Sequence, residues 1–160
     1  MGKRAKSLKR IAASVLTVLM ISASLVGCKV NGKEVATITS EEFVTAVQHQ
    51  SNWSAYVSED TGDTHEGILA NAHDGNLQVF YDRYEQTMQA SNEYQTYINK
   101  IESLVTSKKT LETSDTQSFA GSSSDGTYYY VRRISNTIVF GAASADNKDE
   151  MISFLKNIGY

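Results

Sequence analysis

Four groups of residues in the chain have types and spacings that can do chemistry. Cys28 is the only cysteine, and a thiol is the most nucleophilic ordinary side chain once ionised. A second group joins His65, Glu66, His73 and Asp74, with Asp63 nearby. Its spacing matches no zinc pattern, and Asp60-Thr61-Gly62-Asp63 lacks the alternating oxygen ligands of a calcium loop, so no metal is expected. A third is Ser153-Phe154-Leu155-Lys156, a serine three residues before a lysine, with Ser124-Asp125-Gly126 upstream. The order is the reverse of the acylating-serine arrangement, the Lys-Thr-Gly element is missing, and Gly121-Ser122-Ser123-Ser124-Asp125 lacks the second glycine of a nucleophile elbow. No catalytic residue and no cofactor are expected. The fourth group is aromatic: Trp53, Tyr56, Tyr128 and Tyr130 with Arg132. Rings beside a guanidinium suit contacts to a sugar or a peptide; the alternative is that helices cover these rings and make them core.

Cys28 stands at the end of a three-part leader. Lys3, Arg4, Lys6, Lys9 and Arg10 carry every charge before the cysteine, no acidic residue appears before Glu34, residues 11–26 are apolar or small, and small residues precede the cysteine. That order is what an export channel reads. The block Leu25-Val26-Gly27-Cys28 resembles the lipobox of bacterial lipoproteins at all four positions. The resemblance covers residues 1–28 and implies a diacylglyceryl group on the Cys28 sulfur, cleavage before it, and Cys28 as the first residue of the mature chain. Small surface lipoproteins of Gram-positive bacteria are similar in size, in lipobox and in the ending Lys156-Asn157-Ile158-Gly159-Tyr160.

An uncleaved membrane helix fits less well. Sixteen residues at about 1.5 Å each reach roughly 24 Å, short of a hydrocarbon core of about 30 Å. Ala23-Ser24-Leu25 lacks a small-x-small site for ordinary signal cleavage. With one cysteine, no internal disulfide forms and the exported part relies on its core.

The expected organisation is a signal peptide over 1–27, a lipidated cysteine and tether over 28–38, and one domain over 39–160. After removal of 1–27 the chain has 10 basic residues against 18 acidic, a net charge of −8. That balance excludes a nucleic-acid binder and broad adhesion to anionic lipid, so membrane contact is expected through the Cys28 acyl chains alone.

The elements that must position the aromatic group follow in order. Thr39 and Glu42 have capping-box spacing, with Ile38 and Phe43 as a staple, and predict a helix to about Gln50. Asn52–Val57 reads as a strand and Ser58–Thr64 as a polar turn. Asp74-Gly75 predicts a two-residue hairpin turn placing Ile68, Ala70 and Ala72 on one face with Leu77, Val79 and Tyr81. Tyr84, Met88, Ser91, Tyr94, Ile98, Ile101 and Val105 predict a helix of about six turns. Phe119-Ala120 predicts a short strand. A second hairpin crosses Ser135-Asn136, with Tyr129, Val131, Ile138, Phe140 and Ala142 inside, Arg133 on that face near the turn, and Tyr128, Tyr130 and Arg132 opposite. Asp146 is placed to cap a last helix whose buried stripe is Met151, Phe154, Leu155 and Ile158, ended by Gly159.

The sum is an α+β domain with an antiparallel sheet of about five or six strands, in the order α-β-ββ-α-β-ββ-α, with helices packed on it. The expected function is that of a membrane-anchored extracytoplasmic lipoprotein, non-catalytic, that binds an envelope glycan, peptide or protein. A structural subunit of a larger envelope complex and a hydrolase acting on cell-wall material are the alternatives.

Overall fold

The first helix forms because its free amide groups find partners within four residues. Thr39 Oγ1 accepts from the Glu42 amide at 3.2 Å, and Glu42 Oε2 accepts from the Thr39 amide at 2.8 Å. This reciprocal cap opens α1 (Ser40–Gln48), which buries Phe43 and Val47. Ile38, assigned by sequence to the end of the tether, packs against the same core. The computed structural model describes residues 37–58, 64–113 and 115–160, all within one unit, Lys33–Tyr160. The leader, the lipobox Leu25-Val26-Gly27 and Cys28 lie outside the described residues, as do the Glu59–Asp63 turn and the side chain of His65.

After α1 come β1 (Trp53–Ser58), β2 (Thr64–Ala72), β3 (Leu77–Tyr84), α2 (Thr87–Ile101), β4 (Val105–Glu112), β5 (Thr116–Ser123), β6 (Tyr128–Ile134), β7 (Thr137–Ala143) and α3 (Lys148–Asn157). The strands make one antiparallel sheet in the order β1-β2-β3-β7-β6-β5-β4. Two meanders therefore meet at its centre, where β3 pairs with β7.

Seven strands replace the five or six expected, and the order becomes α-β-ββ-α-ββ-ββ-α. The extra strand is β4, and the predicted short strand at Phe119-Ala120 is the eight-residue β5. Sequence gave no sign of β4 because it is exposed over nearly its whole length, so no hydrophobic alternation marks it. The long helix is shorter for a related reason. Tyr84 belongs to β3 and Val105 to β4, yet both join Ala90, Tyr94 and Ile101 in one buried cluster. Neighbouring strands thus extend the apolar stripe of α2 and imitate two more helical turns. Met88, placed on that stripe, is 67% exposed.

The first hairpin has the predicted faces. Ile68 pairs with Tyr81, Ala70 with Val79 and Ala72 with Leu77. Its turn has four residues instead of two, because His73, Asp74 and Gly75 take left-handed φ values of 53°, 55° and 89° in succession. The second hairpin turns at Ser135-Asn136 as predicted, between the paired Ile134 and Thr137.

Both sheet faces carry helices. On one side α1 and α3 bury Phe43, Met151, Phe154 and Leu155 against β2, β3 and β7. A Cβ on Gly141 would come within 2.5 Å of Met151 Sδ, so glycine lets α3 lie against β7. On the other side α2 packs over Phe119, Val131 and Ile138. Arg133 is buried there with its Nε donating to Gln117 Oε1 at 2.7 Å and a terminal nitrogen to the Ser135 carbonyl at 2.8 Å; these acceptors satisfy it in place of the water expected from sequence. Asn147, not Asp146, occupies the position before α3. At the far end Gly159 has φ +91°. Tyr160 N donates to Leu155 O and Gly159 N to Lys156 O, the paired bonds that close a helix on a left-handed residue.

Candidate functional site

Strand alternation divides β6 into two sets. Tyr129, Val131 and Arg133 turn to α2, whereas Tyr128, Tyr130 and Arg132 share the face of α1 and α3. On that face α1 lies over β1, β2 and β3, and α3 over β3 and β7. The strands β6, β5 and β4 lie beyond those that the two helices chiefly cover, and Tyr128 and Tyr130 of β6 are half-buried at the border of the core beneath α3.

Register fixes what lies there. Tyr128 is beside Ser122, Tyr130 beside Ala120 and Arg132 beside Ser118. Those three residues of β5 are beside Ser107, Lys109 and Leu111 of β4. Small side chains on the middle strand, between taller ones on its neighbours, make a trough. With strands about 4.8 Å apart and residues rising about 3.4 Å, it is about 10 Å across and 14 Å long.

The trough is cationic in an acidic chain. Arg132 and Lys109 stand on opposite walls, and Lys148 Nζ lies 4.5 Å from the centroid of the Tyr128 ring. Burial pushes the Tyr128 hydroxyl above its ordinary value, so it stays a neutral donor. Arg132 Nε is buried and has no hydrogen-bond partner among the described residues.

Trp53 and Tyr56 are not part of this trough. Trp53 shares the face of Tyr128 but lies four strands away, roughly 19 Å by strand spacing, on the far side of α3. Its ring packs on Phe154 at 4.6 Å and its Nε1 donates to Glu150 Oε1 at 2.7 Å. Tyr56 is on the opposite face, paired with Leu69, and 58% exposed. The sequence grouped five residues; the fold gathers Tyr128, Tyr130 and Arg132. It adds Lys109, Lys148, Ser118 and Ser122, which no motif marked and which recognition of β4 as a strand would have brought into view.

The expected approach of His65 to His73 lies outside the described residues, since the side chain of His65 is not among them. His73 shares a 2.8 Å hydrogen bond with Glu150 Oε2, which ties the left-handed turn to α3. The Trp53 indole and then His73 hold the Glu150 carboxyl below its ordinary value. Among the described residues no three histidine, cysteine or acidic side chains cluster to hold a metal ion. Ser153 and Lys156 are both exposed on α3, and the Ser123 hydroxyl closes the β5–β6 turn on Asp125. A separate open cleft of about 450 Å³ is lined by Glu66, Arg83, Tyr84, Glu85 and Asn136. Within it Glu66 already accepts from Ser40 and lies 3.8 Å from Arg83.

One buried acid lies beneath α2. Asp82 is 9% exposed and accepts from the Tyr97 hydroxyl at 2.8 Å. Burial pushes its carboxyl from 3.8 up to about 6, the Tyr97 bond opposing and Glu93 adding to the rise. The native state then holds a proton that the unfolded chain releases, so stability falls as pH rises from about 4 to about 6. A shift of that size corresponds to roughly 3 kcal/mol. Asp82→Asn keeps an acceptor for Tyr97 and removes the charge. It is expected to raise stability at pH 7.5 by roughly 1–3 kcal/mol and to flatten the pH dependence between 4 and 6. Urea unfolding across that range is the check, and an unchanged slope contradicts the assignment.

No protein-family model matches the chain, and no curated protein is similar to it. Two solved structures are similar at low identity. A GTP-binding regulator from Thermotoga maritima shares 16% identity over 75% of this chain and 84% of its own, with a TM-score of 0.45. The extracellular domain of PknH from Mycobacterium tuberculosis shares 11% identity over 76% of this chain and 90% of its own, with a TM-score of 0.40. At these scores neither likeness bears on function. Among the described residues no helix is long and apolar enough to cross a membrane.

Proposed function

We propose that the chain is a lipoprotein anchored through Cys28 on the outer side of the cytoplasmic membrane, and that its domain binds an envelope ligand without catalysis. The observation that carries the binding role is the trough over β5, with the half-buried Tyr128 and Tyr130 and Arg132 on one wall and Lys109 on the other. The anchoring role rests on the match of Leu25, Val26, Gly27 and Cys28 to the lipobox. Two acyl chains, at about 0.8 kcal/mol per buried CH₂, hold a protein on a bilayer where one is marginal.

The non-catalytic reading draws on the titratable groups. Asp82 is enclosed with Tyr97, and Glu150 is engaged by Trp53 and His73. Neither lies in the trough.

One feature favours a protein partner, the accessory-subunit reading. Strand β4 is an outer edge of the sheet, and Leu111 on it is 59% exposed. Such an edge can accept a further strand. Thermal unfolding of the lipidated protein in detergent, with panels of peptidoglycan fragments, oligosaccharides and short peptides, separates the readings. A ligand at about 100 times its Kd adds about 2.7 kcal/mol and moves the midpoint by several degrees. The binding reading predicts such a shift, with dependence on Tyr130. A flat response across the panels contradicts it and sends the search to cross-linking of a protein partner.

A further inference from the structure

We infer that the ligand of the β4–β5–β6 trough is an acidic sugar, a glycan unit bearing a carboxylate that Arg132 holds. The inference rests on the binding reading above and specifies its occupant.

Three features of the surface select this chemistry. The floor strand β5 is hydrogen-bonded on both sides, to β4 and to β6. The floor therefore offers no free backbone groups, and a peptide laid along it would leave its own amides unpaired. A sugar brings hydroxyl groups that can bond to Ser118, Ser122 and water, and its C–H faces pack on rings such as those of Tyr128 and Tyr130. The third feature is charge. Arg132 and Lys109 occupy register positions of the trough, where no acidic residue stands, and Lys148 lies over the Tyr128 ring at one end. In a chain with more acidic than basic residues, that separation is directed to an anion. A guanidinium matches a planar carboxylate by two parallel hydrogen bonds, and Arg132 stands on the β6 wall of the trough.

The test titrates the lipidated full chain in detergent with an oligogalacturonide and with its methyl ester, which keeps the ring and hydroxyl groups and loses the charge. The expected result is binding of the acid, weakened by added salt, with the ester at least tenfold weaker. Arg132→Gln is expected to lower affinity for the acid by about tenfold to a hundredfold. Lys109→Gln, on an exposed edge strand, lowers it severalfold without touching the core and stands in if Arg132→Gln loses its cooperative transition. Equal binding of acid and ester, or binding indifferent to both substitutions, overturns the acidic-sugar inference while leaving a binding surface in place. Binding of short peptides but of neither glycan, lost in Tyr130→Ser, has the same meaning. No response to glycan or peptide overturns both.

Discussion

Replacing Phe43 with alanine is expected to destabilise the domain by about 3–5 kcal/mol, the range for removing a large ring from a packed core. Phe43 is fully buried. Its ring stacks on Tyr81 at 5.0 Å and meets Phe154 edge-on at 5.7 Å. Phe154 in turn packs on Trp53 at 4.6 Å. One side chain therefore connects α1 to β3, to α3 and through it to β1. Val47 is the other fully buried side chain of α1, with Val44 and Ala46 half-buried against the same core. Since single domains have about 5–15 kcal/mol in hand, the variant should be largely unfolded at moderate urea while the wild type is native. Trp53 is the only tryptophan, and its emission follows the transition directly. A loss below about 1 kcal/mol, the usual result at a surface position, would contradict this account of the core.

Replacing Cys28 with alanine is expected to abolish lipidation completely. A thioether to diacylglycerol needs the sulfur, and no other cysteine exists to substitute. The resemblance to lipoproteins implies that cleavage follows lipidation, so the variant also keeps residues 1–27. Growth with an alkyne fatty acid and intact-protein mass spectrometry read the two effects separately. The wild type should carry label and begin at Cys28; the variant should carry none and retain the leader. An unlabelled wild type, or one cut elsewhere, contradicts the anchor.

The parts of the fold legible in sequence are those fixed by local chemistry. The Thr39–Glu42 cap, the faces of the Asp74-Gly75 hairpin, the Ser135-Asn136 turn and the Gly159 ending each depend on a few adjacent residues, and each is present. What escaped depends on partners distant in the chain. The register of β4 against β5 makes a strand of Val-Thr-Ser-Lys-Lys-Thr-Leu-Glu, a stretch with little apolar pattern. The same distance hid half of the candidate site. Tyr128, Tyr130 and Arg132 alternate visibly on one strand, but Lys109 joins their face only through β5, and Lys148 meets Tyr128 from the start of α3. Trp53 and Tyr56 misled because residue type alone cannot tell a ring beneath a helix, or one on the opposite face, from a ring on an open wall.

The central claim is that the open face of β6 binds and does not merely complete the core. Tyr130→Ser tests it most directly, because the ring is half-buried at the border of the core with Ala120 beside it. The account predicts a variant that keeps a cooperative thermal transition and loses the ligand-induced rise shown by the wild type. A variant that unfolds, or one that responds to ligand as the wild type does, would contradict it.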